Sequence, residues 1–364
     1  MKIISTQENL KNGLGIVSRV VGNSSTLPIL NNILLQTENG LLKLSGTNLE
    51  TGISTYIRCQ IEKEGGVCLG VKTISDLINS LPSENITIDS GESETKITTD
   101  HTDVKIKHLS FEDFPLIPKI ENSAKVKIKA EDLKLALDQT IFASSTSETQ
   151  PEISGILMWF GGENILITAT DRYRLAEKTI PYQGEVDFKI IIPHRSAQEI
   201  SRLLTGLTGD IELNITTTQL AFNLENTYIV TRLIDGQYPD YQQIIPESSN
   251  TTIILDRQEL LSALKTSSVF SKGSGSINVS YDVEKSSLQL DSASHDLGES
   301  KVELLCKISG SSGQLIINYR YLIDYLNNLD TDTLVMKVVD ENGPITFIPE
   351  NNSKYLYLVM PIKQ

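Results

Sequence analysis

One pattern occurs three times in this chain of 364 residues, and nothing else limits its fold as tightly. KIISTQENLKNGLGIVSRVV from Lys2, VKIKAEDLKLALDQTIFASS from Val126 and TIILDRQELLSALKTSSVFS from Thr252 each read as a short strand running into polar residues that can start a helix. Leu10, Leu133 and Leu260 fall in register, and Leu14, Leu137 and Leu264 repeat the match one turn later. In the first copy Leu10, Leu14, Val17 and Val21 trace a single helical face. The copies stand 123 and 127 residues apart, the size of a domain.

A second helix recurs in LGVKTISDLINSLP, IIPHRSAQEISRLLTG and INYRYLIDYLNNLD. Aligned on Gly70, Pro193 and Asn318, these bring Asp76, Glu199 and Asp324 into register, and likewise Leu81, Leu204 and Leu329. Two independent marks at near-equal spacing predict three homologous domains, over residues 1–121, 122–247 and 248–364. Between the helices lie alternating runs such as LLKLSGT, ITIDSGESETKITTD, DIELNITTTQLAFNL, YIVTRLI and INVSYDVEKSSLQLDS, which read as antiparallel strands. Each unit is therefore expected to be α+β, with two helices packed on antiparallel sheet. FPLIPKIENSA (114–124) and YQQIIPESSN (241–250) carry the Pro and polar residues of linkers.

Formal charge is −14, which taken whole argues against nonspecific nucleic-acid binding. The charge is not evenly spread. The six helical stretches hold ten basic residues (Lys11, Arg19, Lys72, Lys134, Arg195, Arg202, Arg257, Lys265, Lys272 and Arg320) against eight acidic ones, while the remainder holds 22 against 38. An acidic body whose helices are not acidic suits a protein that turns only its helical face toward a polyanion, although solubilising acids on exposed strands would give the same count. The N-terminus lacks the apolar core of a signal peptide, and no apolar run approaches the roughly 20 residues that span a bilayer. Cys59, Cys68 and Cys306 are odd in number and far apart, and match no ligand spacing, so a cytoplasmic protein with reduced thiols is expected.

Enzyme chemistry finds little support. His101, His108, His194 and His295 do not pair at metal-ligand spacing, and no metal or cofactor is expected. No GxSxG, GxxxxGK[ST] or GxGxxG occurs; SKGSGS (271–276) has the Gly and Ser of a phosphate loop without the Lys-Thr that opens a helix, and reads as a turn. The densest polar cluster is ATDRYRLA (169–176). Asp171 there could serve as an acid or base, yet no convergent His or second carboxylate can be named. A strand-end Asp paired with Arg172 or Arg174 is the plainer reading.

Five stretches become diagnostic together: TLPILNNILL (26–35), SGTNLE (45–50), ATDRYRLA (169–176), LIDGQYPDY (233–241) and YLVMPIKQ (357–364). In this order and spacing, over the whole chain, they resemble the bacterial DNA polymerase III beta subunit, the replicative sliding clamp. The resemblance implies a head-to-tail dimeric ring of six domains, with helices lining a central hole around double-stranded DNA and sheets outside. It implies no catalysis and no cofactor: such a ring tethers the replicative polymerase, the clamp loader and repair factors by short linear peptides. Retention then comes from topology, and weak, screened phosphate contacts leave the ring free to slide.

Carried over by position, the resemblance places a partner-peptide pocket at Ile153, Thr170, Arg172, Tyr173, Arg174, Leu175, Pro239, Gln243, Ile244, Pro344, Val359, Met360, Pro361 and Ile362, floored by Leu175, Val359 and Met360. Lys11, Arg19, Lys72, Lys134, Arg195, Arg202, Lys265 and Arg320 are the candidates to face DNA. Val104 and Ile106 of one protomer are expected against Val269 and Phe270 of the other, with an edge strand pairing beside them. The chain departs from the family pattern at Arg172-Tyr173, where members often carry Gly-His, and at Gln243 and Ser24, where a basic residue can stand. A second class, a triplicated β-rich protein-binding scaffold with no DNA role, is separated from the first by a dimeric mass and by retention on circular DNA.

Overall fold

The helices form where the repeats predict them. In the computed structural model, which describes residues 1–22, 27–147, 149–182, 184, 187–271, 273 and 275–363, they are α1 (Gln7–Val17), α2 (Val71–Ser80), α3 (Ala130–Thr140), α4 (His194–Leu203), α5 (Arg257–Ser268) and α6 (Tyr319–Asn327). Ser24 and Lys272, like Thr26 and Gln364 of the quoted motifs, lie outside the described residues. Polar side chains cap three of the starts. Thr6 accepts from the backbone of Asn9, Asp256 from Glu259 at 2.8 Å and Asn318 from Arg320 at 3.1 Å, each satisfying an amide the helix leaves unpaired. The repeated leucines are the buried ones: Leu10, Leu14, Leu133, Leu137, Leu260 and Leu264 are all at most 2% exposed. One detail differs. α1 ends at Val17, so Val21 lies beyond the helix, and the buried residue there is Val20.

Two compact units emerge from the packing, and the division does not follow the repeats. Met1–Ala130 groups with Arg202–Leu233, and Glu131–Ser201 with Ile234–Gln364, so the middle repeat contributes to both. The first unit holds a five-stranded sheet, in the order Gln60–Lys63, Lys2–Thr6, Asn85–Ser90, Glu94–Thr98, Asp103–Lys107. It also holds an eight-stranded sheet, in which Thr227–Arg232 pairs with Thr51–Ile57 and so joins strands of the first and middle repeats. α1 packs on Thr51–Ile57 and on α2.

The second unit repeats this plan. In its nine-stranded sheet Arg174–Pro181 pairs with Tyr355–Val359, joining the middle and third repeats. A four-stranded sheet runs Gly298–Leu305, Ser287–Ser294, Ser276–Asp282, Gly313–Asn318, and α5 packs on Gly298–Leu305 and on α6. Every strand pair is antiparallel. Each unit thus contains one junction where the strands of two repeats fuse into one sheet.

Candidate functional site

ATDRYRLA is the turn at the end of the second junction. The strand Asn164–Thr170 reverses and returns as Arg174–Pro181. Side chains tie the turn to its own backbone: Asp171 Oδ1 accepts from the amides of Tyr173 and Arg174, both at 3.0 Å. Thr170 Oγ1 accepts from the Arg172 amide at 3.2 Å and donates to the Arg174 carbonyl at 2.7 Å. Such bonds are why Asp and Thr mark turns. The turn forces Arg172 to φ +78°, a conformation that costs a residue bearing a Cβ about 1 kcal/mol. Arg172 and Tyr173 are exposed at its tip.

Strand alternation then sends neighbouring side chains to opposite faces of the sheet. Arg174 turns toward α6. Its Nε meets Asp171 Oδ2 at 2.9 Å and its Nη1 meets Asp324 Oδ2 at 2.6 Å. The guanidinium lies 4.5 Å from the centre of the Tyr321 ring and 5.7 Å from that of Phe142. Burial opposes its charge, but Tyr357, Asp324 and Asp171 hold the guanidinium above its ordinary pKa. Asp171 is therefore committed to holding Arg174 and the turn, which answers what the polar cluster is for: it is a structural lock.

Leu175 points the other way, into an apolar cluster with Leu157, Ile191, Tyr241 and Leu358, against which Met360, Tyr238, Ile234, Ile245 and Trp159 pack. Val359, expected on this floor, is opposite Arg174 in the strand register and so shares its face; it is fully buried. Leu358, opposite Leu175, takes the place. Alternation back from Met360 was the available signal, since residues two apart share a face. Arg174 likewise contributes its backbone and its hold on the turn to this region, while its side chain serves the helix face.

Below Leu175 on the same face, Glu177 accepts a hydrogen bond from the Tyr241 hydroxyl, which also accepts one from Thr168 Oγ1 at 3.1 Å. Tyr238 donates to the Thr168 carbonyl at 3.4 Å, and the Tyr238 and Tyr241 rings meet edge to face. Burial pushes the Glu177 carboxyl above the usual range, against the opposing pull of Tyr241. Two tyrosines of the segment 238–245 are thus anchored to the sheet. That segment carries Pro239, Gln243 and Ile244, all exposed, with Gln243 donating to Asp240 at 2.7 Å.

The tail reaches the turn through the Met360 amide, which donates to the Tyr173 carbonyl at 2.8 Å. Pro361 is buried, and Pro344 precedes Ile345, whose strand partner is Val359. Ile153 is buried in a short helical turn, Pro151–Ser154. Ile362 goes elsewhere. Its amide donates to the Ile316 carbonyl at 2.8 Å, and its side chain lines a polar cleft of about 330 Å³ with Asn278, Ser280, Asp291, Gln314 and Glu341.

Among the candidate DNA-facing cations, Lys11, Arg19, Lys72, Arg195, Arg202, Lys265 and Arg320 are exposed. Lys134 is instead half-buried and paired with Asp138 one turn on, and Asp138 also accepts from Ser201. Val104 and Ile106 lie on Asp103–Lys107, an outermost strand of the five-stranded sheet. Val269 is exposed, and Phe270 reaches Gly298 at the start of Gly298–Leu305, an outermost strand of the four-stranded sheet.

The first junction carries a second copy of the turn. Thr47 Oγ1 donates to the Thr51 carbonyl at 3.0 Å and accepts from the Leu49 amide at 3.0 Å; Asn48 Oδ1 accepts from Glu50 and Thr51 at 3.0 and 2.7 Å. Leu49 has φ +73°, and the Glu50 carbonyl accepts from Arg232 at 2.9 Å as Tyr173 does from Met360. SGTNLE and ATDRYR are one motif used twice.

Among the described residues no group of three His, Cys, Asp or Glu could hold a metal, and no helix is long and apolar enough to cross a membrane. Burial pushes the Cys68 thiol up to about 12 and the Cys306 thiol to about 11, far from a reactive thiolate. Family models of the DNA polymerase III beta subunit match the chain in three parts, the N-terminal domain over residues 1–118, the central domain over 127–240 and the C-terminal domain over 242–363. A beta sliding clamp of Synechocystis sp. is 30% identical over 389 residues, spanning 100% of this chain and 99% of the relative. A solved sliding clamp from Bartonella birtlesii, bound to griselimycin, matches with a TM-score of 0.95 at 29% identity over 100% of both chains. The DNA polymerase sliding clamp of Bacillus subtilis matches at 0.95 and 25%, over 100% of this chain and 99% of its own. With its triplicated α+β architecture and the lock-like chemistry of its polar cluster, the chain belongs to the DNA polymerase III beta subunits, the bacterial sliding clamps, which are non-catalytic processivity factors of DNA replication.

Proposed function

We propose that this clamp closes head to tail as a cytoplasmic homodimer around duplex DNA, and that it receives polymerase subunits, the clamp loader and other DNA enzymes through short apolar peptides at the second junction. Its protomers meet where Asp103–Lys107 of one faces Gly298–Leu305 of the other. Among the described residues both are the outermost strands of their sheets, and such an edge invites pairing with another chain. Counting every charge, Asp103, Lys105 and Lys107 sum to +1 on one strand and Glu299, Lys301 and Glu303 to −1 on the other, a weak complementarity. Leu305, 80% exposed, and Val269 supply apolar surface beside it.

Duplex DNA is held loosely. The seven exposed helix cations supply phosphate contacts, each one of several, so none dominates. Lys134, already neutralised by Asp138, contributes little. The partner site lies over the buried cluster of Leu175 and Leu358, with half-buried Met360 beside it, rimmed by Arg172 and Tyr173 and walled by the segment 239–245. An extended peptide bringing a Leu and a terminal aromatic would bind at roughly micromolar affinity, because few side chains are buried and the peptide must be ordered.

The repeated helices of the three clamp domains, with their shared leucine core, carry this reading most directly. The test is retention on a nicked DNA circle. A closed ring stays bound through gel filtration in high salt and is lost when the circle is cut; equal loss from circular and linear DNA would defeat the ring and favour the scaffold alternative.

A further inference from the structure

The two junctions share their turn but not what lies beneath it. Facing residues Ser45 and Ser54 of the first junction bond each other, hydroxyl to hydroxyl, at 2.9 Å. The corresponding pair of the second junction is Thr168 and Glu177, and both reach instead to the hydroxyl of Tyr241 in the linker. The first linker has Ile117 where the second has Tyr241, counted from Pro115 and Pro239, and an isoleucine makes no such bond. A half-buried carboxylate is expensive to keep out of water, and an apolar side chain beside Leu175 and Leu358 would pack more cheaply. What a carboxylate adds is direction: a charge-assisted hydrogen bond fixes its donor in one place.

We propose that Glu177 is a positioning residue for partner-peptide binding, holding the linker wall of the pocket at a fixed distance from strand Arg174–Pro181 through the hydroxyl of Tyr241. This rests on the partner-site reading above. The wall residues Gln243 and Ile244 share with Tyr241 one turn of 3-10 helix, Tyr241–Ile244, so the position of its ring sets theirs. Tyr238, bonded to the Thr168 carbonyl, fixes the other end of the segment. A wall held before the peptide arrives spares the complex the cost of ordering it.

The test uses the full-length dimer and a fluorescent pentapeptide of the Gln-Leu-x-Leu-Phe type. Affinity and dissociation rate are measured for the wild type, Glu177→Ala, Tyr241→Phe, the double variant and Glu177→Gln, with amide exchange of residues 239–245 and melting temperature alongside. Glu177→Ala and Tyr241→Phe should each weaken binding about tenfold, mainly through faster dissociation, since each removes one side of a charge-assisted bond. Their double variant should be no worse than either, because the two act as a unit. Glu177→Gln keeps an acceptor and should stay within about twofold. Exchange across the wall should quicken in the two weakened variants. Unchanged affinity in folded Glu177→Ala, additive losses in the double variant, or a lower melting temperature with affinity and exchange intact would each overturn the positioning role. Absence of binding by the wild-type dimer would remove the partner site itself, and the role of Glu177 with it.

Discussion

At the junction of Thr51–Ile57 with Thr227–Arg232, the linker sets Ile117 on Gly52 and leaves a cleft of about 190 Å³ beside it; at the junction of Arg174–Pro181 with Tyr355–Val359, the linker sets Tyr241 on Leu175 and Leu358. The floor residues explain the difference. Gly52 and Val230 face each other in the first register, Leu175 and Leu358 in the second. A Cβ on Gly52 would lie 2.9 Å from Cγ2 of Ile117, so the close approach of the first linker needs a glycine in its floor. The rims differ as well: Arg232 bonds the first turn where Met360 bonds the second. A polarizable, flexible thioether suits a site that must accommodate varied apolar side chains. On the opposite face Thr51 meets Thr231, whereas Arg174 bridges Asp171 and Asp324. One turn, used twice, stands beside a small floor under Ile117 in one place and a larger apolar floor under Tyr241 in the other.

Removing the rim gives the largest effect. Deleting Met360–Gln364 takes away the bond to Tyr173 and part of the apolar cluster, but none of the residues placed at the dimer contact. The truncated protein should remain a dimer that is retained on circular DNA, and its peptide affinity should fall at least a hundredfold, which fluorescence anisotropy reads directly. Undiminished binding would move the partner site away from this junction and make the two seams functionally alike.

The opposite face separates the junctions next. Arg174→Ala leaves Asp171 and Asp324 without their common partner and should cost about 3 kcal/mol in chemical denaturation, the scale for removing one member of a mostly buried pair. In the first junction Thr55 and Thr227 share only a neutral bond of 2.9 Å, and Thr55→Val should cost about 1 kcal/mol. Similar losses at both would mean that Arg174 is no more than a cross-strand spacer.

Much of this was legible in the chain, and the limits have physical causes. Repeated helices announce themselves because a buried leucine must return every three or four residues, and Leu10, Leu133 and Leu260 do so at domain spacing. The pairing of Lys134 with Asp138 was equally local, at the four-residue spacing of one helical turn, and could have been read from sequence. Faces of a sheet are harder. That Leu358 and not Val359 shares a face with Met360 follows from alternation, but that this face meets Leu175 depends on a register between strands some 180 residues apart, which no periodicity specifies. Glu177 finds Tyr241 64 residues away, and nothing in RLAEK distinguishes an acid that solvates from one that latches a linker. SGTNLE and ATDRYR differ at most positions yet make the same bonds, because the turn needs only an oxygen at Thr47 or Thr170 and another at Asn48 or Asp171.

Filling Gly52 tests how tightly the first linker sits on its floor. Gly52→Ala should cost about 1–2 kcal/mol by forcing Ile117 aside, the range for overpacking a tight contact. In an Ile117→Ala background the same change should cost almost nothing, a coupling that a thermodynamic cycle measures. Additive losses would show that Ile117 gives way freely and that its contact with the floor is loose.

The smallest effect probes what the junctions still share. Both turns hold a non-glycine residue in the left-handed region, Leu49 at φ +73° and Arg172 at φ +78°. Glycine reaches that conformation without the Cβ clash, though it gives back some of the gain as entropy in the unfolded chain. Arg172→Gly should therefore raise stability by about 0.5 kcal/mol. Leu49→Gly should gain less, because Leu49 is only 46% exposed and its packed half is lost. The peptide measurement then gives the comparison its last distinction. If Arg172→Gly stabilises the fold yet weakens binding of a peptide with an acidic residue next to its apolar anchors, the strain at the second turn is retained for the cation it presents. If binding is unchanged for neutral and acidic peptides alike, the arginine is an ordinary occupant of a duplicated turn, and the difference between the junctions lies wholly in their floors and linkers.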